Sequence, residues 1–116
     1  MISAPFRLNL VEGSVSFSFS ADAARELQTA VQGLMERMRA IASQGSTAGR
    51  PNPQESLEYR HTGEVFLEVF CNPNIWSSPF AAKVLVTLRD DRIRLSTEAE
   101  LPRLLEDLGL YLEQHG

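Results

Sequence analysis

The chain has one cysteine, one tryptophan and two histidines in 116 residues. A single thiol, Cys71, excludes an intramolecular disulfide, which suits a reducing compartment. His61 and His115 lie far apart, with no cysteine or carboxylate cluster at metal-ligand spacing, so no metal centre is expected. No apolar run approaches the ~20 residues of a membrane-spanning helix. The opening M-I-S-A-P-F-R-L-N-L lacks the basic and apolar regions of a secretory signal. The expected location is the cytoplasm. Catalytic signatures are missing as well. There is no G-x-S-x-G and no Gly-rich nucleotide loop, and G-S-T-A-G around Thr47 lacks the G-K-[ST] ending of a phosphate loop. No cofactor is implied, and the expectation is a protein that is not an enzyme.

What is present is an ordinary globular composition. Hydrophobic residues make up 43% and charged residues 22%, as in folded soluble domains. The length fits one domain, residues 1–116, able to bury roughly 65% of its unfolded surface without metal or disulfide help. The net charge of −4 disfavours polyanion binding by the surface as a whole. That charge is unevenly spread. Thr97 to the end carries five acids against Arg103, whereas Lys83–Ser96 carries four bases against Asp90 and Asp91.

The pattern centres on Glu64–Ser96, read as a buried strand E-V-F-L-E-V-F-C, a loop N-P-N-I-W-S-S-P-F-A, and a hairpin. Before it, Phe6–Val11 and Val15–Ser20 alternate with period two and predict half-buried strands. A two-residue Glu12-Gly13 turn would pair Leu10 with Val15, Leu8 with Phe17 and Phe6 with Phe19. Ser20 is a candidate helix cap, with Asp22 in the first turn. Ala24, Leu27, Val31, Leu34, Met38 and Ile41 then form one helical stripe, read as a core-facing face or as a dimer seam. Ser43–Glu55 has little to bury and reads as a mobile loop.

A second hairpin joins Leu57–Arg60 to Glu64–Cys71. With His61-Thr62-Gly63 as its turn and Gly63 left-handed, Arg60 faces Glu64 and Tyr59 faces Val65. The opposite face then carries Arg60, Glu64, Phe66, Glu68 and Phe70. The third hairpin, Lys83–Arg89 with Arg92–Ser96, turns at Asp90-Asp91 and pairs Leu88 with Ile93. Its outer face carries Lys83, Leu85, Thr87, Arg89, Arg92 and Arg94. Thr97-x-x-Glu100 reads as a capping box opening a leucine-rich helix, which Pro102 delays by a turn. The fold expected is α+β: an antiparallel sheet of about six strands, order ββα-ββββα, with two helices on one face.

Each chemical possibility has a plainer competitor. Cys71 with a histidine could be a nucleophile pair, but the register puts Cys71 on the core face, where an inert thiol is expected. Asp90-Asp91 is a carboxylate pair whose position suits turn hydrogen bonds. Glu64 and Glu68 could couple, yet Arg60 and Lys83 can neutralise them. Trp76, between Pro73 and Pro79 in the loop that also carries Phe80, either closes the core or anchors a ligand or partner. Two phenylalanines, Phe66 and Phe70, on a nominally wet face need explaining: they mark a binding surface, or they sit on a plain exposed face with cross-strand ion pairs such as Glu64 or Glu68 with Lys83 or Arg89.

The order of elements in Leu57–Gln114, four strands then a helix, resembles the strand–helix unit of Whirly-like single-stranded nucleic-acid-binding folds. That resemblance covers half the chain and implies dimerisation and strand binding across a sheet. The lysine-rich motif of those proteins is missing here, so none of their binding residues carries over. The run E-V-F-C-N-P-N-I-W-S-S-P-F-A-A-K-V-L-V-T-L-R-D-D-R-I-R-L is similar to small proteins of cyanobacteria, and implies no activity.

Two functions therefore lead, with an enzyme or small-ligand pocket near Trp76 as a third class. One is a non-catalytic protein-binding or assembly module, expected to be a homodimer, using Phe66, Phe70, Trp76, Phe80, Leu85, Arg89, Arg92 and Arg94. The other is single-stranded nucleic-acid binding on Phe66, Phe70, Lys83, Arg89, Arg92 and Arg94, with rings stacking on bases and cations on phosphates. Glu64 and Glu68 oppose the second.

Overall fold

The computed structural model describes residues 4–44 and 53–116. The order is β1 (Ala4–Asn9), β2 (Ser14–Phe19), α1 (Ala21–Gln44), β3 (Leu57–Thr62), β4 (Phe66–Cys71), a single 3₁₀ turn at Pro73–Ile75, β5 (Lys83–Arg89), β6 (Arg94–Glu100) and α2 (Leu101–His115). The class is α+β, as the pattern predicts. The mobile-loop expectation for Ser43–Glu55 falls mostly on residues 45–52, which lie outside the described residues, and α1 runs on to Gln44.

The strands form two antiparallel sheets, not one. β1 and β2 make a separate hairpin, and β3-β4-β5-β6 make a four-stranded meander. The reason lies in α2, which takes the place of a third strand beside β1. The buried Asp107 carboxylate accepts the Asn9 N–H at 2.8 Å and the Asn9 side-chain amide at 2.9 Å. The Tyr111 hydroxyl lies 3.1 Å from the Ala4 carbonyl and 3.0 Å from that of Phe19. Backbone groups that another strand would have used are thus satisfied by helix side chains. The loop of the first hairpin reaches the larger sheet: Val11 N–H donates to the Glu98 carbonyl at 3.0 Å, blunting the open edge of β6 at that point.

All three hairpins pair in a register other than the expected one. Leu8 faces Val15, Tyr59 faces Val69, and Leu88 faces Leu95. The loops at 10–13 and 90–93 hold four residues, where the shortest turn would hold two. The first is closed by Leu10 N–H to the Gly13 carbonyl, with Gly13 at φ 88°, a conformation that glycine alone adopts freely. In the second, the Asp90 carboxylate accepts from the N–H groups of Arg92 and Ile93. Those two bonds, Ile93 first, hold its carboxyl below the usual range. Ile93, expected in the core, is 64% exposed as a result. In the middle hairpin β3 extends through Thr62 and the loop moves to 63–65, so Gly63 keeps a negative φ and His61 sits in a strand. Every slip is an even number of residues, so the side chains that stay in the strands keep their predicted faces.

The inner sheet face meets both helices in one core. Leu27, Val31 and Leu34 of α1 and Leu101, Leu104 and Leu108 of α2 are fully buried with Val69, Val84 and Val86. Burying each such side chain contributes about 1.5–3 kcal/mol. The α1 stripe is consumed there, which removes it as a dimer seam. Ser20 caps α1 through its hydroxyl, which accepts the Ala23 N–H at 3.1 Å. The capping box at Thr97 does not form. Thr97 pairs with Val86 in the ladder, and α2 begins at Leu101 with Pro102 in its first turn. No described helix is long and apolar enough to cross a membrane.

Candidate binding face

The outer face of the four-stranded sheet carries neither helix, and the register lays it out as rows. Reading from β3 to β6, one row is Thr62, Phe66, Arg89, Arg94. The next is Arg60, Glu68, Thr87, Ser96. The third is Glu58, Phe70, Leu85, Glu98, and beyond it Lys83 faces Glu100. Six of the eight predicted partner-binding residues, Phe66, Phe70, Leu85, Arg89, Arg92 and Arg94, belong to this face or to its β5–β6 turn. Arg92 is the turn residue.

The two phenylalanines differ. Phe66 is half-buried, with the Arg89 guanidinium 4.3 Å from its ring centroid. Phe70 is exposed and lies directly across from Leu85, which is 47% exposed. Between these rows Arg60 pairs with Glu68 at 2.8 Å, a consequence of the shifted register. Glu64, the expected partner of Arg60, lies in the exposed loop.

The loop after β4 builds a wall at the Phe70 end. Asn72 caps the 3₁₀ turn through its side chain, which accepts the Asn74 N–H. Asn74 exchanges hydrogen bonds with the backbone of Gln54. Ile75 and Trp76 then line a shallow cleft of about 230 Å³ with Phe70, Leu85, Lys83 and Glu98. That is below the ~300–1,000 Å³ of a typical small-molecule site. Trp76 has both roles considered for it. It packs against the core beside Cys71 and still lines the cleft. Burial pushes the Cys71 thiol up to about 11, offset in part by the neighbouring Trp76 indole. Phe80 is 82% exposed but does not line this cleft. Sequence reasoning missed Ile75, an exposed apolar residue visible in N-P-N-I-W, and Glu98, whose place depends on the β5–β6 register.

The other chemical candidates are dispersed. His61 stacks edge-on against Phe19 at 5.3 Å, and His115 lies 4.8 Å from the Tyr111 ring. Asp90 is engaged by its turn. No group of three or more His, Cys, Asp or Glu suited to a metal occurs among the described residues. Compared with known proteins, the chain matches no family model, no curated protein and no solved structure.

Proposed function

We propose that the protein is a non-catalytic protein-binding or assembly module that self-associates, working through the outer sheet face and the Ile75–Trp76 wall. The observation that carries this reading is the exposed Phe70–Leu85 pair, continuous with Ile75 at 68% exposure. An apolar centre with a charged rim is the anatomy of a protein interface, and exposed apolar patches mark such sites. The cytoplasm is the compartment this reading assigns, given the lone buried thiol.

Sedimentation equilibrium tests it. The wild type should show a monomer–dimer equilibrium, weakened at least ~10-fold by Phe70→Ser with Leu85→Ser while circular dichroism stays unchanged. A wild type that is monomeric up to about 100 μM, or a dimer indifferent to both substitutions, overturns it.

Single-stranded nucleic-acid binding is the second reading, favoured by Arg89, Arg92 and Arg94 gathering at one end of the face. It predicts an oligonucleotide affinity that falls steeply with salt. Glu68 and Glu98 on the same face, and an Arg89 that already covers the Phe66 ring, weigh against it.

A further inference from the structure

Charge on the outer face is sorted along the strands. At the β5–β6 turn end, Arg94 lies directly opposite Arg89, with Arg92 in the turn. The acids nearest them are Asp90, turned into the loop backbone, and exposed Asp91. At the other end Glu58 and Glu98 flank Phe70 and Leu85, with Lys83 and Glu100 beyond. Among the described residues, Arg92, Arg94, Glu58, Glu98, Glu100 and Lys83 have no ion pair within 4.0 Å. Like charges directly opposite are destabilising; Arg89 is taken up by the Phe66 ring, which leaves Arg94 as the charge the single chain does not pair.

A second copy compensates it. Arg94 and Glu98 sit on one strand, on one face, equally far on either side of Ser96. A two-fold axis lying over Ser96, in the plane between two facing sheets and across their strands, sets Arg94 of one copy on Glu98 of the other, twice. The same operation lays the Phe66–Arg89 stack on the other copy's Phe70–Leu85 pair and brings the two copies' Arg60–Glu68 ion pairs face to face, where like charges meet on the axis and each is neutralised by its partner in the same chain. It also carries the Ile75 end towards the other copy's 90–93 turn, where Ile93 is exposed. Isologous contacts of this kind are what closed dimers use, and facing sheets lie about 10 Å apart with side chains filling the gap.

We infer that the partner at this face is a second copy of the chain, packed sheet against sheet with antiparallel strands, and that Arg94–Glu98 pairs across the two-fold set its register. This deepens the self-association reading and rests on it. The footprint is four strands by about six residues, on the order of 800 Å² for both copies. That is below the ~1,200–2,000 Å² of stable specific interfaces, so the dimer is a weak, transient one.

Charge swapping tests the orientation. Arg94 and Glu98 are four residues apart on a strand, roughly 13 Å, too far to pair within one chain. Arg94→Glu and Glu98→Arg should therefore each weaken the homodimer at least ~10-fold. Mixing the two single variants should restore a heterodimer, and the double variant R94E/E98R should dimerise like the wild type. Far-ultraviolet circular dichroism checks that each variant folds. If the wild type dimerises and the Phe70 and Leu85 substitutions weaken it, but the single swaps change nothing or the mixture stays monomeric, this orientation is wrong and self-association stands. If the wild type does not dimerise, both fall.

Discussion

The guanidinium of Arg89 lies 4.3 Å from the ring centroid of Phe66, its partner directly across the β4–β5 ladder. A cation over an aromatic ring at a partly exposed site such as this is worth about 0.5–1 kcal/mol. A double-mutant cycle with Phe66→Leu and Arg89→Gln, read by urea denaturation, should return a coupling of that size. A coupling near zero would mean that the stack does not persist in solution.

Asp107 is the polar pin of the fold. Its buried carboxylate serves both the backbone and the side chain of Asn9, and Arg103 reaches it at 3.4 Å. Asp107→Ala strands two donors and should cost about 3 kcal/mol. Asp107→Asn keeps one acceptor and should cost less. Equal losses for the two variants would show that packing, and not hydrogen bonding, sets the effect.

Two buried acids make stability fall at alkaline pH. Burial raises the Cys71 thiol from 9.0 to about 11. Burial, and then the Glu26 carboxylate, raises Tyr59 from 10.0 to about 12. Above pH ~9 the unfolded chain loses protons that the folded chain keeps. The unfolded state then binds fewer protons, so stability drops as pH rises through the 9–12 window, by up to about 1.4 kcal/mol per pH unit for each group. Urea midpoints taken from about pH 8 to pH 11 should decline, and Cys71→Ala should flatten the first part of that decline.

Trp76 and Phe80 share a loop but not a role. Phe80→Ala removes an exposed ring and should change stability by less than about 0.5 kcal/mol. Trp76→Ala removes a side chain packed on the core beside Cys71 and should cost about 2 kcal/mol or more. Thermal melts of the two variants separate these outcomes directly.

Much of this architecture was legible as alternation. Period-two patterns placed Phe66, Phe70, Leu85, Arg89 and Arg94 on one face correctly, because a slip by an even number of residues leaves faces unchanged. Loop length was not legible, since it hangs on local capping. The Asp90 carboxylate draws in two N–H groups and needs a four-residue loop to do so. The division into two sheets was hidden for a different reason. Alternation states which face is buried but not which element supplies the neighbouring hydrogen bonds, and here Asp107 and Tyr111 supply them. The Arg89–Phe66 stack and the isolation of Glu98 both follow from register, and so appeared only with the structure.

The pin at Asp107 also sets a timetable. Asn9 and Asp107 are 98 residues apart, and Tyr111 and Ala4 are 107. At roughly 5–20 residues per second on the ribosome, the first hairpin waits several seconds or more for the helix that fastens it. Through that interval Phe6 and Phe19 have no Tyr111 to pack against. The earliest-made strands thus wait for the last-made helix, and a nascent chain halted before α2 would leave Phe6 and Phe19 without the ring that packs on them.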